Sequence, residues 1–169
     1  KTRCGLSGTA LKYIACITML IDHIGASCIE AGILRPALDA GTLSADALAS
    51  APLYQLDRVL RFTGRLAFPI FCFLLLEGFR HTRSRFRYGR NLLLFALISE
   101  IPWNLMFTNT LHYERQNVFF TLFLGYLAFC AIEYFKDKRL IQLLCILGLL
   151  VVSIFLKADY GWRGYIFLL

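Results

Sequence analysis

Apolar residues along the chain come in long runs separated by short polar or basic breaks. The first run covers about 9–31 and contains Leu11-Lys-Tyr-Ile-Ala and Met19-Leu-Ile-Asp-His-Ile-Gly25. Further runs cover about Phe62–Gly78, Asn91–Phe107, Asn117–Phe135 and Leu140–Leu156, and another starts near Gly164. Several reach the ~20 residues that carry a helix across a ~30 Å hydrocarbon core. The short alternating segments of a membrane β-barrel are absent from the pattern. It predicts an all-α fold: a polytopic transmembrane helical bundle with at least five full spans plus the start of a sixth, in a single membrane domain over 1–169.

The breaks refine this picture. Residues 32–61 carry Pro36, Asp39, Gly41, Asp46 and Pro52, are too polar to span, and read as a long loop with a short surface helix after Ser44. Residues 80–90 hold five arginines in eleven positions. Residues 108–116, 136–139 and 157–163 read as turns, with His112 solvated in the first. Pro69 cannot donate to the carbonyl of Arg65, so a bend is expected there. Pro102 likewise frees the carbonyl of Ile98.

Composition agrees with the pattern: 58% hydrophobic, 17% charged and a mean hydropathy of +0.61, which excludes an ordinary soluble domain. The net charge of +7 could suggest nucleic acid. In a membrane protein, however, Lys and Arg at helix ends serve orientation and anionic headgroups first, so the expected partners are membrane lipids and not nucleic acid. The six cysteines are scattered without C-x-x-C spacing and read as small buried hydrophobes, with no metal site. The first run lacks a small-residue cleavage site and is not a signal peptide. The chain opens without Met and stops a few residues into a new apolar run, which reads as a fragment of something longer.

Orientation follows the basic residues. Lys1, Arg3, Lys12, the five loop arginines, Lys136, Lys138 and Arg139 make eleven of the eighteen, all on short segments of one side. The positive-inside rule then puts the N-terminus and the 80–90 loop in the cytoplasm, and 32–61 outside.

Chemistry concentrates in a few polar residues inside the runs. A central Asp costs about 2.5–3.5 kcal/mol on insertion scales, so Asp22 and His23 in the outer half of the first helix need a reason to be there. Adjacent helical residues point about 100° apart, so the two cannot both face one partner. Arg65 is the obvious counter-ion for Asp22. His23 suits a general base, or a histidine bonded across helices. Glu100 and Asn104 share a face one turn apart, with Ser99 beside them, either lining a cavity or clasping neighbouring helices. Glu77 sits at the inner end of the second run. The basic stretch, with Arg80, His81, Arg83, Arg87, Tyr88 and Arg90, suits a phosphorylated cytoplasmic donor; topology and headgroup contact account for the charge equally well. Asn117 and Thr121 share a face and could touch substrate or bond between helices. Asp159 and Tyr160 read as structural. On residues alone, an enzyme and a proton-coupled transporter with an Asp22/His23/Glu100 relay stand level.

The runs also carry motifs. Leu11-Lys-Tyr-Ile-Ala, Met19-Leu-Ile-Asp-His-Ile-Gly25, Gly64-Arg-Leu-Ala-Phe-Pro-Ile-Phe71, Glu77-Gly-Phe-Arg-His-Thr82, Ala96-Leu-Ile-Ser-Glu-Ile-Pro102, Asn117-Val-Phe-Phe-Thr-Leu122 and Ala158-Asp-Tyr-Gly161 together resemble the TraX family, in order along most of the chain apart from 32–61. The resemblance implies a transmembrane acetyltransferase of the bacterial inner (cytoplasmic) membrane. It would use cytoplasmic acetyl-CoA to modify an amine or hydroxyl acceptor, a pilin-like peptide N-terminus or a surface glycan. It makes His23 the leading catalytic residue, either deprotonating the acceptor or transiently carrying the acyl group, and draws in Asp22, Arg65, Glu77, Glu100 and Asn117. Asp22 or Glu100 would orient the imidazole, and Arg65 or Asn104 would stabilise the oxyanion. The expected separation from the basic stretch to His23 is on the order of 20 Å, at 1.5 Å per helical residue, so the pantetheine arm would have to thread an inner tunnel fully extended.

Overall fold

The computed structural model describes residues 6–42, 44–48, 50–108 and 115–169, and these are helices and the turns between them, with no strand among the described residues. The fold is therefore all-α. The chain divides into two compact units, Lys1–Leu74 and Leu75–Leu169.

In the first unit, α1 (Gly8–His23) passes directly into a π-helical segment (Ile24–Leu34) and then α2 (Arg35–Asp39). Ser7 caps α1 by accepting from Ala10 N at 3.1 Å. The change of helical pitch begins right after His23, whose carbonyl accepts the Ser27 hydroxyl at 2.6 Å. A hydroxyl that takes a helix carbonyl competes with the backbone ladder, and π segments are uncommon and frequent at functional sites. A short α3 (Ala45–Leu48) follows, capped by the Ser44 hydroxyl at Ala47 N, as the sequence indicates. Then comes α4 (Pro52–Gly64) with Pro52 in its first turn, where no amide partner is needed.

Two boundaries differ from expectation. The segment 32–61 is largely helical: the first rod continues to Asp39, and α4 starts at Pro52, ten residues before Phe62. Ten polar-rich residues had read as loop because polarity outweighed their helical spacing. The stretch 80–90 is likewise mostly helix. The α5 helix (Ala67–His81) and α6 (Arg85–Thr108) leave only Thr82, Arg83 and Ser84 between them. The interruption before α5 falls at Arg65–Leu66, where the sequence places it: Pro69 sits in the first turn of α5 and leaves the Arg65 carbonyl without its amide. Pro102 lies inside an unbroken α6.

In the second unit α6 packs on α7 (Val118–Tyr134), α7 on α8 (Arg139–Phe155), and α9 (Gly161–Leu168) on both α7 and α8. Leu124, Ala128 and the fully buried Tyr165 form a core with Ile146, Leu149, Leu150 and Leu156. The Tyr165 hydroxyl donates to the Ile146 carbonyl at 3.1 Å. Gly89 lets α7 close on α6: a Cβ there would come within 2.4 Å of the Tyr126 ring.

Two stretches, Gly8–Asp39 and Pro52–His81, are long and apolar enough to cross a membrane, and only 28% of each apolar window is buried. A soluble core helix would be mostly covered. Here Tyr13, Ile17 and Leu20 on α1, Ile24 just after it, and Leu94, Phe95, Ile98 and Ile101 on α6, stand exposed, an apolar surface that calls for an apolar surrounding. The shorter apolar helices α7 and α8 have 17 residues each. Of the cysteines expected to be buried, Cys72 is, Cys16 and Cys28 are exposed, and Cys4, like Lys1, Arg3 and His112, lies outside the described residues.

Candidate functional site

The first unit gathers a cluster of charges around Asp22. Arg61 Nη1 donates to Asp22 Oδ2 at 2.5 Å, and His23 Nδ1 stands 3.7 Å from the same oxygen. One carboxylate oxygen thus faces a guanidinium and an imidazole. The two helices that carry them touch at a glycine. A Cβ on Gly64 would fall 2.2 Å from Asp22 Cβ and 2.7 Å from its Cα, so only hydrogen fits. That contact brings α4 against α1 and sets Arg61, one turn earlier, onto Asp22. The Arg61 Nε also lies 3.9 Å from Glu30 Oε2, and Arg35 donates to Glu30 Oε1 at 2.8 Å.

Arg65, expected as the counter-ion of Asp22, does not pair with it; the partner is Arg61. Arg65 follows the end of α4 and lines a cavity of about 560 Å³ together with Glu30, Arg35, Tyr54, Asp57, Arg58 and Arg61. Asp57 is 6% exposed, and its Oδ1 has no hydrogen-bond partner among the described residues. A Cβ on Gly25 would meet that oxygen at 3.0 Å. The sequence reading missed Glu30, Asp57, Arg58 and Arg61. The signal for the last three was the spacing Tyr54, Asp57, Arg58, Arg61, Arg65 along a helix, concealed by starting the helix at Phe62.

The second unit uses its polar residues to join helices. Glu100 Oε2 accepts from the Asn117 side chain at 2.7 Å and from its backbone N–H at 3.2 Å. Asn117 Nδ2 also donates to the Ala96 carbonyl at 2.8 Å, and its Oδ1 caps α7 at Phe119 N, 3.0 Å. Thr121, fully buried, donates to the Asp159 carbonyl at 2.5 Å. Asn104 is buried and Ser99 half-buried. For Glu100, Asn117 and Thr121 the bonds that join helices and turns are present.

The basic stretch is divided. Arg80, Arg83, Arg87 and Arg90 are exposed. His81 Nδ1 lies 3.4 Å from Glu77 Oε2 and 2.9 Å from the Glu77 carbonyl. Tyr88 is packed inward: a Cβ on Gly78 would come within 2.6 Å of its hydroxyl. Arg85 is paired with Glu133 and lies 4.4 Å over the Phe79 ring.

An all-helical chain with outward apolar faces and an Arg–Asp–His cluster carried on two helices long and apolar enough to cross a membrane defines a class, the helical membrane-associated protein with partly buried charge. Comparison with known proteins makes it specific: the family described as TraX protein matches residues 7–169, and this chain belongs to the TraX family. A curated relative, "Probable fimbrial assembly protein FimC, serogroup H1" of Dichelobacter nodosus, is 32% identical over 130 residues, 72% of this chain and 45% of the relative. The chain therefore spans less than half of that relative's length. No solved structure matches.

Proposed function

We propose that this chain is a membrane-embedded acyltransferase that moves an acetyl group from cytoplasmic acetyl-CoA to an amine or hydroxyl at or beyond the bacterial inner membrane. Membership of the TraX family and the relative's link to fimbrial assembly favour a pilin-like acceptor. The single observation that carries the chemistry is His23 Nδ1 at 3.7 Å from an Asp22 oxygen that Arg61 already holds. A modest tightening closes that gap to a hydrogen bond. Asp22 then fixes the imidazole through Nδ1 and directs Nε2 toward the acceptor's proton, the arrangement general base catalysis requires.

In this reading the acceptor nitrogen or oxygen attacks the thioester carbonyl while His23 takes its proton. The C–S bond breaks, the CoA thiolate leaves, and His23 returns the proton to the sulfur. Arg65, exposed just after the end of α4 and without an ion pair among the described residues, would supply the cation for the developing oxyanion. The exposed Arg80, Arg83, Arg87 and Arg90 would take the donor's phosphates from the cytoplasm. At 1.5 Å per residue, α7 and α8 reach about 25 Å, near the lower limit for a tilted or thin-bilayer span, and together with the two long stretches and α6 they would make five crossings.

Thermal unfolding of the detergent-solubilised chain with acetyl-CoA tests this reading. The reading requires acetyl-CoA to raise the midpoint and the Arg83→Ala variant to lose most of that rise. A midpoint indifferent to acetyl-CoA would refute the donor assignment.

A further inference from the structure

Glu30 reaches Arg61 because the first rod changes pitch after His23. Gly25 marks the face of that rod turned toward α4: a Cβ there would lie 3.3 Å from Leu60 Cβ and 3.4 Å from Arg61 Cδ. In an α-helix Glu30, five residues on, would point about 140° away from Gly25 and so away from the Arg61 side chain. The segment Ile24–Leu34 is π-wound instead, and at its end the Arg35 amide bonds the Glu30 carbonyl five residues back. That wider turn carries the fifth residue back toward the face of the first. Glu30 Oε2 thereby comes to 3.9 Å from Arg61 Nε. Leu34 obeys the same register. It would stand about 180° from Gly25 in an α-helix, yet it is buried and shares a cavity wall with Glu30 and Arg61. The Ser27 hydroxyl on the His23 carbonyl, at 2.6 Å, ties down the first of these turns.

We propose that Glu30 is a positioning residue for the transfer step, acting through Arg61 on the Asp22–His23 pair, and that the π winding is what delivers it. The proposal rests on the acetyl-transfer reading. Arg61 offers donors on two edges of a rigid plane. Its Nη1 is spent on Asp22 at 2.5 Å, and its Nε is turned toward Glu30. One carboxylate leaves a guanidinium free to pivot about that bond; a second, on a different nitrogen, fixes its plane. With the plane fixed, Asp22 Oδ2 is held where it faces His23 Nδ1 at 3.7 Å. Glu30 is itself anchored, because its other oxygen accepts from Arg35 at 2.8 Å. A chain of opposite charges, Arg35–Glu30–Arg61–Asp22, thus ends at His23 and ties the two long helical stretches of the first unit together. Glu30 takes no proton and touches no reacting atom in this scheme.

The test is steady-state acetyl transfer from acetyl-CoA to a pilin-like N-terminal peptide by the full chain in vesicles, with Glu30→Gln read in the parent and in His23→Ala. In the parent, Glu30→Gln should lower kcat about tenfold, short of the ~10²-fold that 1 Å of misplacement can cost, with the KM for acetyl-CoA unchanged. In His23→Ala it should cost less than about twofold, because the group it positions is gone. Melts in detergent add a readout that needs no turnover: Glu30→Gln should lower the midpoint of the parent and leave that of Arg61→Gln nearly unmoved. Parental kcat in Glu30→Gln would overturn the proposal while leaving the acetyl-transfer reading intact. An equal loss of rate in both backgrounds would overturn the route through His23. An equal fall of midpoint with and without Arg61 would overturn the contact itself. Absence of transfer by the parent would strike the acetyl-transfer reading and this role together.

Discussion

Arg61 lies 39 positions from Asp22 in sequence and 2.5 Å from it in space. Both side chains are partly covered, at 33% and 19% exposure, so their attraction is screened less than that of a surface pair. Arg61→Gln should cost about 1.5–3 kcal/mol, because it strands a half-buried carboxylate. Thermal unfolding in detergent checks the loss. Asp22→Asn in the Arg61→Gln background should add much less than it does alone, the signature of a shared contact.

Gly64 makes that pairing possible. Any side chain there collides with the Asp22 backbone at 2.7 Å, a contact that rotamer changes cannot relieve. Gly64→Ala should therefore destabilise by more than about 2 kcal/mol through displacement of α4. Gly148→Ala on α8 meets nothing within 4 Å and should instead stabilise by up to about 1 kcal/mol, since alanine is the better helix former. Parallel melts of the two variants read the contrast directly.

The hydrophobic pattern was enough for the helical class and the break before Pro69, because apolar periodicity and a missing amide are local properties. It failed where charge and helix coincide. Asp57, Arg58 and Arg61 are helical residues on the cavity face of α4, and their polarity hid the helix that carries them. Once α4 is shortened to begin at Phe62, Arg61 drops into a loop and Arg65 becomes the only basic choice for Asp22. The pairing was thus one helical turn away from the residue that sequence favoured. The inward packing of Tyr88 was hidden for a related reason. A stretch of arginines reads as an exposed loop, and nothing local reveals that Gly78 leaves a slot for a tyrosine ring.

Asn117 both caps α7 and bonds Glu100 and the Ala96 carbonyl. Asn117→Ala should lower stability by about 2 kcal/mol, the cap and the clasp together. Asn117→Asp keeps the capping oxygen but sets a second carboxylate against Glu100, and it should also fall below the parent. If Asn117 instead served substrate alone, both variants would melt with the parent while turnover fell.

Orientation is open to chemical labelling. Arg83 lies in the short link between α5 and α6, on the side that the distribution of basic residues assigns to the cytoplasm. A cysteine introduced by Arg83→Cys, in a background lacking the native thiols, should resist a membrane-impermeant maleimide in intact spheroplasts and react in inverted vesicles. The reverse pattern would invert the topology.

The acyltransferase account rests on His23. The most direct measurement is transfer of radiolabelled acetyl from acetyl-CoA to a pilin-like N-terminal peptide by the purified chain in vesicles, comparing the parent with His23→Ala. The account predicts a rate loss of about 10²–10⁴-fold in a variant whose melting midpoint and acetyl-CoA binding stay near the parent's. Transfer at the parental rate by folded His23→Ala would contradict it.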